Sequence, residues 1–311
     1  MIIVGGENLV DLIEKGEKDS DPIFQAQLGG SPYNCALAIG RQGVEVAYLT
    51  PISNDNFGDL LADNLTASNV TLLAKRSNRP TSLALATLEK GNAKYQFYRE
   101  NTADRIINLA TLNKITPKDA KAFFVGSLAL TQQKDGNVWA KYLIQMQQKG
   151  LFIALDPNIR ADFIKDKKSY LIRVNKILDN CDLLKLSDED LHYLVPKMTL
   201  INAAKSLLAT SSTRLIIVTM GKDGAFAVNR LGQLVNVKAV KTTKFKDSIG
   251  AGDTFTASIL AYLCKNNLLS AKSLSEMSAK NIENMLKHAS KAATLNCEKL
   301  GCNPPFSKDI K

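Results

Sequence analysis

Asp247-Ser248-Ile249-Gly250-Ala251-Gly252-Asp253-Thr254-Phe255 reads as a bend of small residues that opens a helix. Behind it Phe255, Ile259, Tyr262 and Leu263 recur at helical spacing. Ahead of it lies a basic, strand-like stretch, Val237–Phe245. Small side chains at Gly250, Ala251 and Gly252 let a ligand approach the backbone. The free amides of a first helical turn, with the helix dipole, favour negative charge at that place. A phosphate, or the charge that develops on a transferring phosphoryl group, is the natural guest. Asp253 has two readings. It is a favoured N-cap residue, and its carboxylate has the chemistry to take a proton from a hydroxyl attacking phosphorus.

Working outward, short apolar runs alternate with amphipathic segments. Strands are expected at Met1–Val4, Val44–Thr50, Ala122–Val125, Leu151–Leu155, Asp182–Leu186 and Leu215–Thr219, with helices between them such as Phe57–Asn69 and Asp135–Lys149. This alternation predicts βαβ units and a mostly parallel sheet. Runs such as Leu215-Ile216-Ile217-Val218 suit a sheet covered on both faces. Ser82–Glu89 and Lys94–Arg99, joined around Gly91-Asn92, break the rhythm and read as an antiparallel hairpin. A small sheet of this kind is a lid, a dimer surface or an edge meander. Lys265–Lys280 reads as a polar surface connection plus helix.

A second informative stretch runs from Gly29 to Gly43: Gly29-Gly30-Ser31-Pro32-Tyr33-Asn34 and onward. Ser31 suits an N-cap, Pro32 the first helical residue and Gly43 the helix end. Asn34, one turn in, can donate and accept hydrogen bonds, which suits a sugar hydroxyl. A well-capped structural helix accounts for the same residues.

The 311 residues suit either two average domains or one large α/β domain. An apolar share of 45% and a charged share of 23% exclude wholesale disorder and collagen-like or coiled-coil architecture. No apolar run is long enough for a membrane span, and the start, Met1-Ile2-Ile3-Val4-Gly5-Gly6-Glu7, reads as a strand and not as a signal peptide. Forty Lys and Arg against thirty Asp and Glu give +10, with the basic residues spread along the chain. That distribution, without a nucleic-acid-binding signature, reads as a Lys-rich solvated surface. Five cysteines, an odd number, point to reduced thiols in a cytoplasm, and two histidines without a matching Cys/His pair speak against structural zinc. There is no Gly-x-x-x-x-Gly-Lys-Ser/Thr loop, so phosphate binding falls to the Gly250–Asp253 turn.

The two stretches, in this order, resemble the two signature regions of the ribokinase-like carbohydrate kinases, the PfkB family. Further segments are similar in form to fructokinases: Gly5-Gly6-Glu7 followed by Asp11, Asp156-Pro157-Asn158-Ile159-Arg160, Lys185-Leu186-Ser187, and Cys297-Glu298-Lys299-Leu300-Gly301-Cys302. The resemblance implies one domain over residues 1–311, a three-layer α/β/α sandwich, with a small β lid from about 12–27 and 82–99. It implies transfer of the ATP γ-phosphoryl group to a primary sugar hydroxyl with Mg²⁺, fructose giving fructose 6-phosphate. The alternatives are 2-keto-3-deoxygluconate, then ribose or a nucleoside; outside enzymes, a catalytically silent protein binding sugar or nucleic acid. Asp253 would be the base, and the amides of Gly250, Ala251, Gly252 and Asp253 the anion hole. Asp11, Gly29, Gly30 and Asn34 would meet the sugar, with Arg99 and Arg160 as further substrate contacts or salt-bridge residues. Lys185, Ser187, Thr219, Gly221 and Gly224 would flank the nucleotide. Asp190 stands where the family has a Glu that organises Mg²⁺ through water, although Ser187 and Asp190 also read as a capping box. Asp247, Ile249 and Gly301 match part of a K⁺ site. A cytoplasmic homodimer, joined through the lid sheets and binding neither nucleic acid nor membrane, is expected.

Overall fold

The structure is a computed structural model that describes residues 1–18, 21–89 and 92–310, with the side chains of 88, 89 and 92–94 outside the description. In chain order the strands are β1 (Ile2–Gly5), β2 (Leu9–Lys18), β3 (Asp21–Gly29), β4 (Val46–Tyr48), β5 (Val70–Leu72), β6 (Ser82–Glu89), β7 (Asn92–Tyr98), β8 (Ala122–Gly126), β9 (Phe152–Asp156), β10 (Leu183–Ser187), β11 (Leu215–Thr219), β12 (Ala225–Asn229) and β13 (Leu234–Val237). The helices are α1 (Ser31–Arg41), α2 (Asn56–Ala67), α3 (Leu109–Ile115), α4 (Gln133–Gln148), α5 (Lys167–Leu178), α6 (Asp188–Leu194), α7 (Leu200–Thr210), α8 (Ala251–Lys265), α9 (Ala271–Ser275) and α10 (Ala279–Cys297).

Nine strands form the main sheet in the order β13-β12-β11-β10-β9-β8-β1-β4-β5. From β5 to β11 every neighbouring pair is parallel, and β12 and β13 close the sheet antiparallel. Alternate strand residues feed two cores. Ile2 and Val4 join side chains of α1, α2, α8 and α10 on one face, while Ile3 joins those of α4, α5, α6 and α7 on the other. The result is the three-layer sandwich. Because both faces are covered, the strands are apolar at successive positions. At the carboxyl ends of these parallel strands sit the turns that carry the site.

The second sheet runs β3-β2-β6-β7. Its β6–β7 pair is the hairpin expected from the sequence; the turn at Gly91 lies outside the described residues. Register places Asp11 beside Gln27 on β3 and Ala84 on β6, with Phe97 of β7 following on the same face. A small apolar cluster of Leu9, Ala84 and Leu128, with Phe97 and Phe163, joins this sheet to the main body.

The six expected strands and the expected helices are present, shifted by a residue or two at their ends. One expectation fails. The basic stretch continues as a strand only to Val237; residues 238–246 are largely exposed and belong to no ladder. Lys238, Lys241, Lys244 and Lys246 leave that segment no apolar face to bury. The polar stretch at 265–280 divides into the end of α8, the five-residue α9 and the start of α10.

Candidate active site

Gly250 is the N-cap of α8 and takes a left-handed conformation, φ 73°. A side chain there would collide with Cys302 Sγ, so the bend is shaped by φ and by the loop that follows α10. The Ala251 amide already donates to Ser248 O at 3.1 Å, which corrects the expectation of four free amides. The amides of Gly250, Gly252 and Asp253 have no acceptor among the described residues, and they remain for an anion.

Asp253 does not cap the helix, since no side-chain cap bond is made. Its carboxylate is bound instead by α1: Ser31 Oγ donates to Oδ1 at 2.6 Å and Asn34 Nδ2 to Oδ2 at 2.7 Å. Asp253 is 7% exposed. Burial raises its pKa, against the two hydrogen bonds and the charges of Lys185 and Arg160. The arrangement also revises the reading of Ser31. The N-cap of α1 is Gly30, at φ 109°, and Ser31 is the first helical residue. A Cβ on Gly30 would stand 2.5 Å from Glu7 O. The buried Glu7 carboxylate receives Ser31 N at 3.2 Å and Ala129 N at 3.0 Å. It thereby pins the start of α1, a role no local spacing in the sequence announces. Gly43 follows the C-cap Gln42 at φ 73°, as expected of a helix end.

Asp253 opens on a cavity of about 1490 Å³, lined by Asp11, Asn34, Arg160, Glu189, Gly250 and Gly252 among others. Such a volume has room for a small sugar and a polyphosphate together. Asp11 reaches it from β2. Burial, opposed by the Arg160 charge and assisted by that of Asp253, raises the Asp11 carboxyl to about 6. Gly29 leaves room for this carboxylate: its Cβ would lie 2.6 Å from Asp11 Oδ2. Asn34 Oδ1 is buried with no protein partner, an acceptor open to a ligand hydroxyl.

Arg99 does not line the cavity. Its guanidinium is buried against Asp104 Oδ2 at 2.7 Å, the two side chains being 6% and 0% exposed. Burial makes a free guanidinium untenable there, and the neighbouring Asp104, with the charges of Glu7 and Asp135 close by, takes it.

Among the nucleotide-side residues, Lys185 is buried and paired with Asp156 Oδ2 at 3.0 Å. Thr256 Oγ1 donates to the same oxygen at 2.9 Å. Lys185 therefore lies under the anion turn, its Nζ 3.5 Å from where a Gly252 Cβ would stand, and not along the cavity wall. Ser187 and Asp190 form the capping box of α6. Thr219 Oγ1 donates to Leu186 O at 3.2 Å, and Gly221 and Gly224 bound the turn from β11 to β12. None of these three lines the cavity. The carboxylate of α6 that does line it is Glu189, which the sequence reading missed. Asp247, Ile249 and Gly301 come together: the Ile249 and Gly301 amides donate to Asp247 at 2.9 and 2.8 Å, and Asn296 Nδ2 donates to Ile249 O at 2.7 Å. Among the described residues no group of three or more His, Cys, Asp or Glu could hold a metal ion, and no helix is long and apolar enough to cross a membrane.

The site thus combines a doubly covered parallel sheet, a helix-opening turn with free amides, a buried aspartate and a small sheet over the cavity. The profile described as pfkB family carbohydrate kinase matches residues 1–309, and the chain belongs to that family. It is 33% identical to a fructokinase of Rhizobium leguminosarum bv. trifolii over 285 residues, 91% of this chain and 86% of that protein. The fold is that of the fructokinase with bound ATP from Xylella fastidiosa, with TM-score 0.88, 24% identity, and 99% and 96% of the two chains covered. It is also similar to the fructokinase from Vibrio cholerae O395 in its fructose, ADP and calcium ion bound form, with TM-score 0.79, 23% identity, and 97% and 94% covered.

Proposed function

We propose that this chain transfers the γ-phosphoryl group of ATP to the primary hydroxyl of fructose, giving fructose 6-phosphate. The observation that carries the reading is the Asp253 carboxylate, held by Ser31 and Asn34 at the first turn of α8 and facing the cavity. The fructokinase relatives supply the sugar.

In this reading Asp11 and Asn34 bind sugar hydroxyls and bring one within reach of Asp253. Burial makes Asp253 a better base than a solvated carboxylate. Ser31 and Asn34 fix the direction of its oxygens, so the proton has one place to go. As the hydroxyl oxygen joins phosphorus, the amides of Gly250, Gly252 and Asp253 receive the charge on the phosphoryl oxygens. The buried Lys185 ammonium adds positive potential beneath Gly252. The donor set suits a nucleotide triphosphate: free amides at a helix start, with Arg160 in the wall. Mg²⁺ bound with the nucleotide would neutralise charge on the phosphates, and Glu189, which lines the cavity, would be the carboxylate of α6 to hold it. The small sheet acts as the lid, with Leu9, Ile13, Tyr95 and Phe97 excluding water above the sugar.

Arg99 supports fructose over a sugar acid, because its ion pair with Asp104 leaves Arg160 as the arginine lining the cavity. We further propose a cytoplasmic homodimer. The five free cysteines support a reducing compartment. The outer face of the small sheet exposes Phe24 and Tyr98, 37% and 51% exposed, and these support pairing of two lids. A substrate panel with purified protein and Asp253→Asn tests the activity: fructose is expected to be the preferred acceptor, and the variant to lose about 10²–10⁴ in kcat. Full activity in the variant, or preference for an acid, overturns the reading.

A further inference from the structure

The loop after β9 crosses the cavity wall with Asn158, Ile159, Arg160, Asp162 and Phe163. Little in its own sequence fixes its shape, and Asn158 takes the left-handed conformation at φ 38°. Beside the packing of Ile159 and Phe163, two hydrogen bonds from other elements hold it. Ser127 N donates to Pro157 O at 3.1 Å. Ile159 N donates to Asp190 Oδ1 at 2.7 Å. The other oxygen of Asp190 receives Ser187 N at 3.0 Å, and the Asp190 amide donates to Ser187 Oγ at 3.0 Å. Asp190 is 5% exposed and does not reach the cavity, whereas Glu189, one residue earlier, is exposed and lines it.

Arg160 itself has little to orient it. Its hydrogen bond is to the neighbouring Ile159 O, at 3.5 Å. Its charge nevertheless acts on both Asp11 and Asp253. The backbone that carries it is held on one side by the Ile159 amide donating to Asp190, and on the other by Phe163 N donating to Arg160 O at 3.0 Å. An aspartate whose two oxygens each accept a backbone amide is a tie between α6 and the loop, and this differs from the metal role the resemblance implies at that position.

We propose that Asp190 is a positioning residue that clamps the Ile159 amide and so sets Arg160 over the sugar end of the cavity, while Glu189 is the carboxylate of α6 that faces the metal carried by the nucleotide. This rests on the kinase reading given above. The tie explains why the shorter aspartate serves: with the Ser187 cap at its back, it reaches the loop amide at 2.7 Å without entering the cavity.

The test uses the full chain with Asp190→Asn, Asp190→Glu, Glu189→Gln and Arg160→Ala, reading steady-state constants and, separately, calorimetric ATP binding without sugar over a Mg²⁺ titration. An asparagine keeps one acceptor oxygen and sets an NH₂ group against the second amide. Asp190→Asn is expected to raise the fructose KM about tenfold, with kcat within about threefold and the Mg²⁺ dependence of ATP binding unchanged. Arg160→Ala raises the same KM, and the double variant adds little to it, because both changes act on one contact. Glu189→Gln shifts the Mg²⁺ dependence of ATP binding and leaves the fructose KM alone. Asp190→Glu decides the matter if the asparagine variant does not fold. A clamp displaced by one methylene raises the fructose KM, whereas a metal-organising carboxylate, lengthened to the family's Glu, strengthens the Mg²⁺ dependence. A shifted Mg²⁺ dependence in either Asp190 variant, or full additivity with Arg160→Ala, overturns the proposal. Failure of the kinase reading shows itself differently, as absence of ATP-dependent phosphorylation by the unaltered chain.

Discussion

Asn34→Asp tests the geometry around Asp253 most directly. Asn34 Nδ2 lies 2.7 Å from Asp253 Oδ2, so the substitution sets two carboxylates in near contact, both almost wholly buried. Two unit charges about 3 Å apart, at an effective dielectric constant of about 20, repel by about 5 kcal/mol, equal to about 4 pH units. The pair therefore keeps one proton between its oxygens through the neutral range. A base that already holds a proton cannot take one from the sugar. At pH 7, kcat/KM is expected to fall by about 10²–10⁴, and the acid limb of the pH profile to move several units toward alkaline pH, with activity returning as the shared proton leaves. Stability moves in a defined direction. The folded pair binds a proton that the unfolded carboxyls release near pH 4, so the variant loses stability relative to the parent as pH rises from about 4 toward the pKa of the pair. Thermal unfolding at pH 5 and pH 8 measures that difference. An Asn34→Asp variant with the parent's acid limb and neutral rate would refute the reasoning, because Asp253 would then be neither in contact with residue 34 nor the proton acceptor.

Asp11, with its carboxyl at about 6, is expected to impose a rise in fructose KM as pH falls through 6, and Asp11→Asn to flatten that pH dependence while weakening sugar binding throughout. Because this pKa is raised in the fold, the parent loses stability as pH rises through 4 to 6, so Asp11→Asn is expected to unfold at a higher temperature than the parent at pH 8. Gly250→Ala forces a Cβ into Cys302 and holds a non-glycine residue at φ 73°; a loss of ~1–3 kcal/mol by denaturant unfolding is expected, with collapse of activity. Phe163→Ala removes the edge-to-face contact with Phe97 at 4.4 Å. It is expected to raise fructose KM and the rate of ATP hydrolysis without sugar, since the pair is worth about 0.5–1.5 kcal/mol of lid closure.

The sheet was legible because burial on both faces removes alternation, and runs such as Leu215–Thr219 then stand out as strands between helices. The small-residue bend that opens α8 was legible because its residues are contiguous. What escaped depends on contacts between distant positions. Ser31 has the side chain of an N-cap, but the same hydroxyl serves a carboxylate 222 positions away. Asp190 forms the capping box its spacing suggests, yet its other bond runs to Ile159, 31 positions earlier. Arg99 stood open between a substrate contact and a salt-bridge residue until the fold brought Asp104 against it. Propensity scales say nothing about such pairings, and Glu189, in an unremarkable acidic first turn, gave no signal beyond helical direction.

The bend at Gly250 rests on residues 296–304, which follow it by some fifty positions. Cys302 fills the space beside it, Gly301 donates to Asp247, Asn296 receives Asn303 N and reaches Ile249, and Arg41 of α1 closes on Asn303 and Pro304. Among the described residues, every strand precedes these positions in the chain. A chain lacking residues 296–304 thus keeps every described strand but loses the brace behind its chemistry, so phosphoryl transfer is expected to require these residues. Nested C-terminal truncations, assayed for turnover beside secondary-structure content, would separate loss of activity from loss of the fold; their coincidence would contradict this dependence.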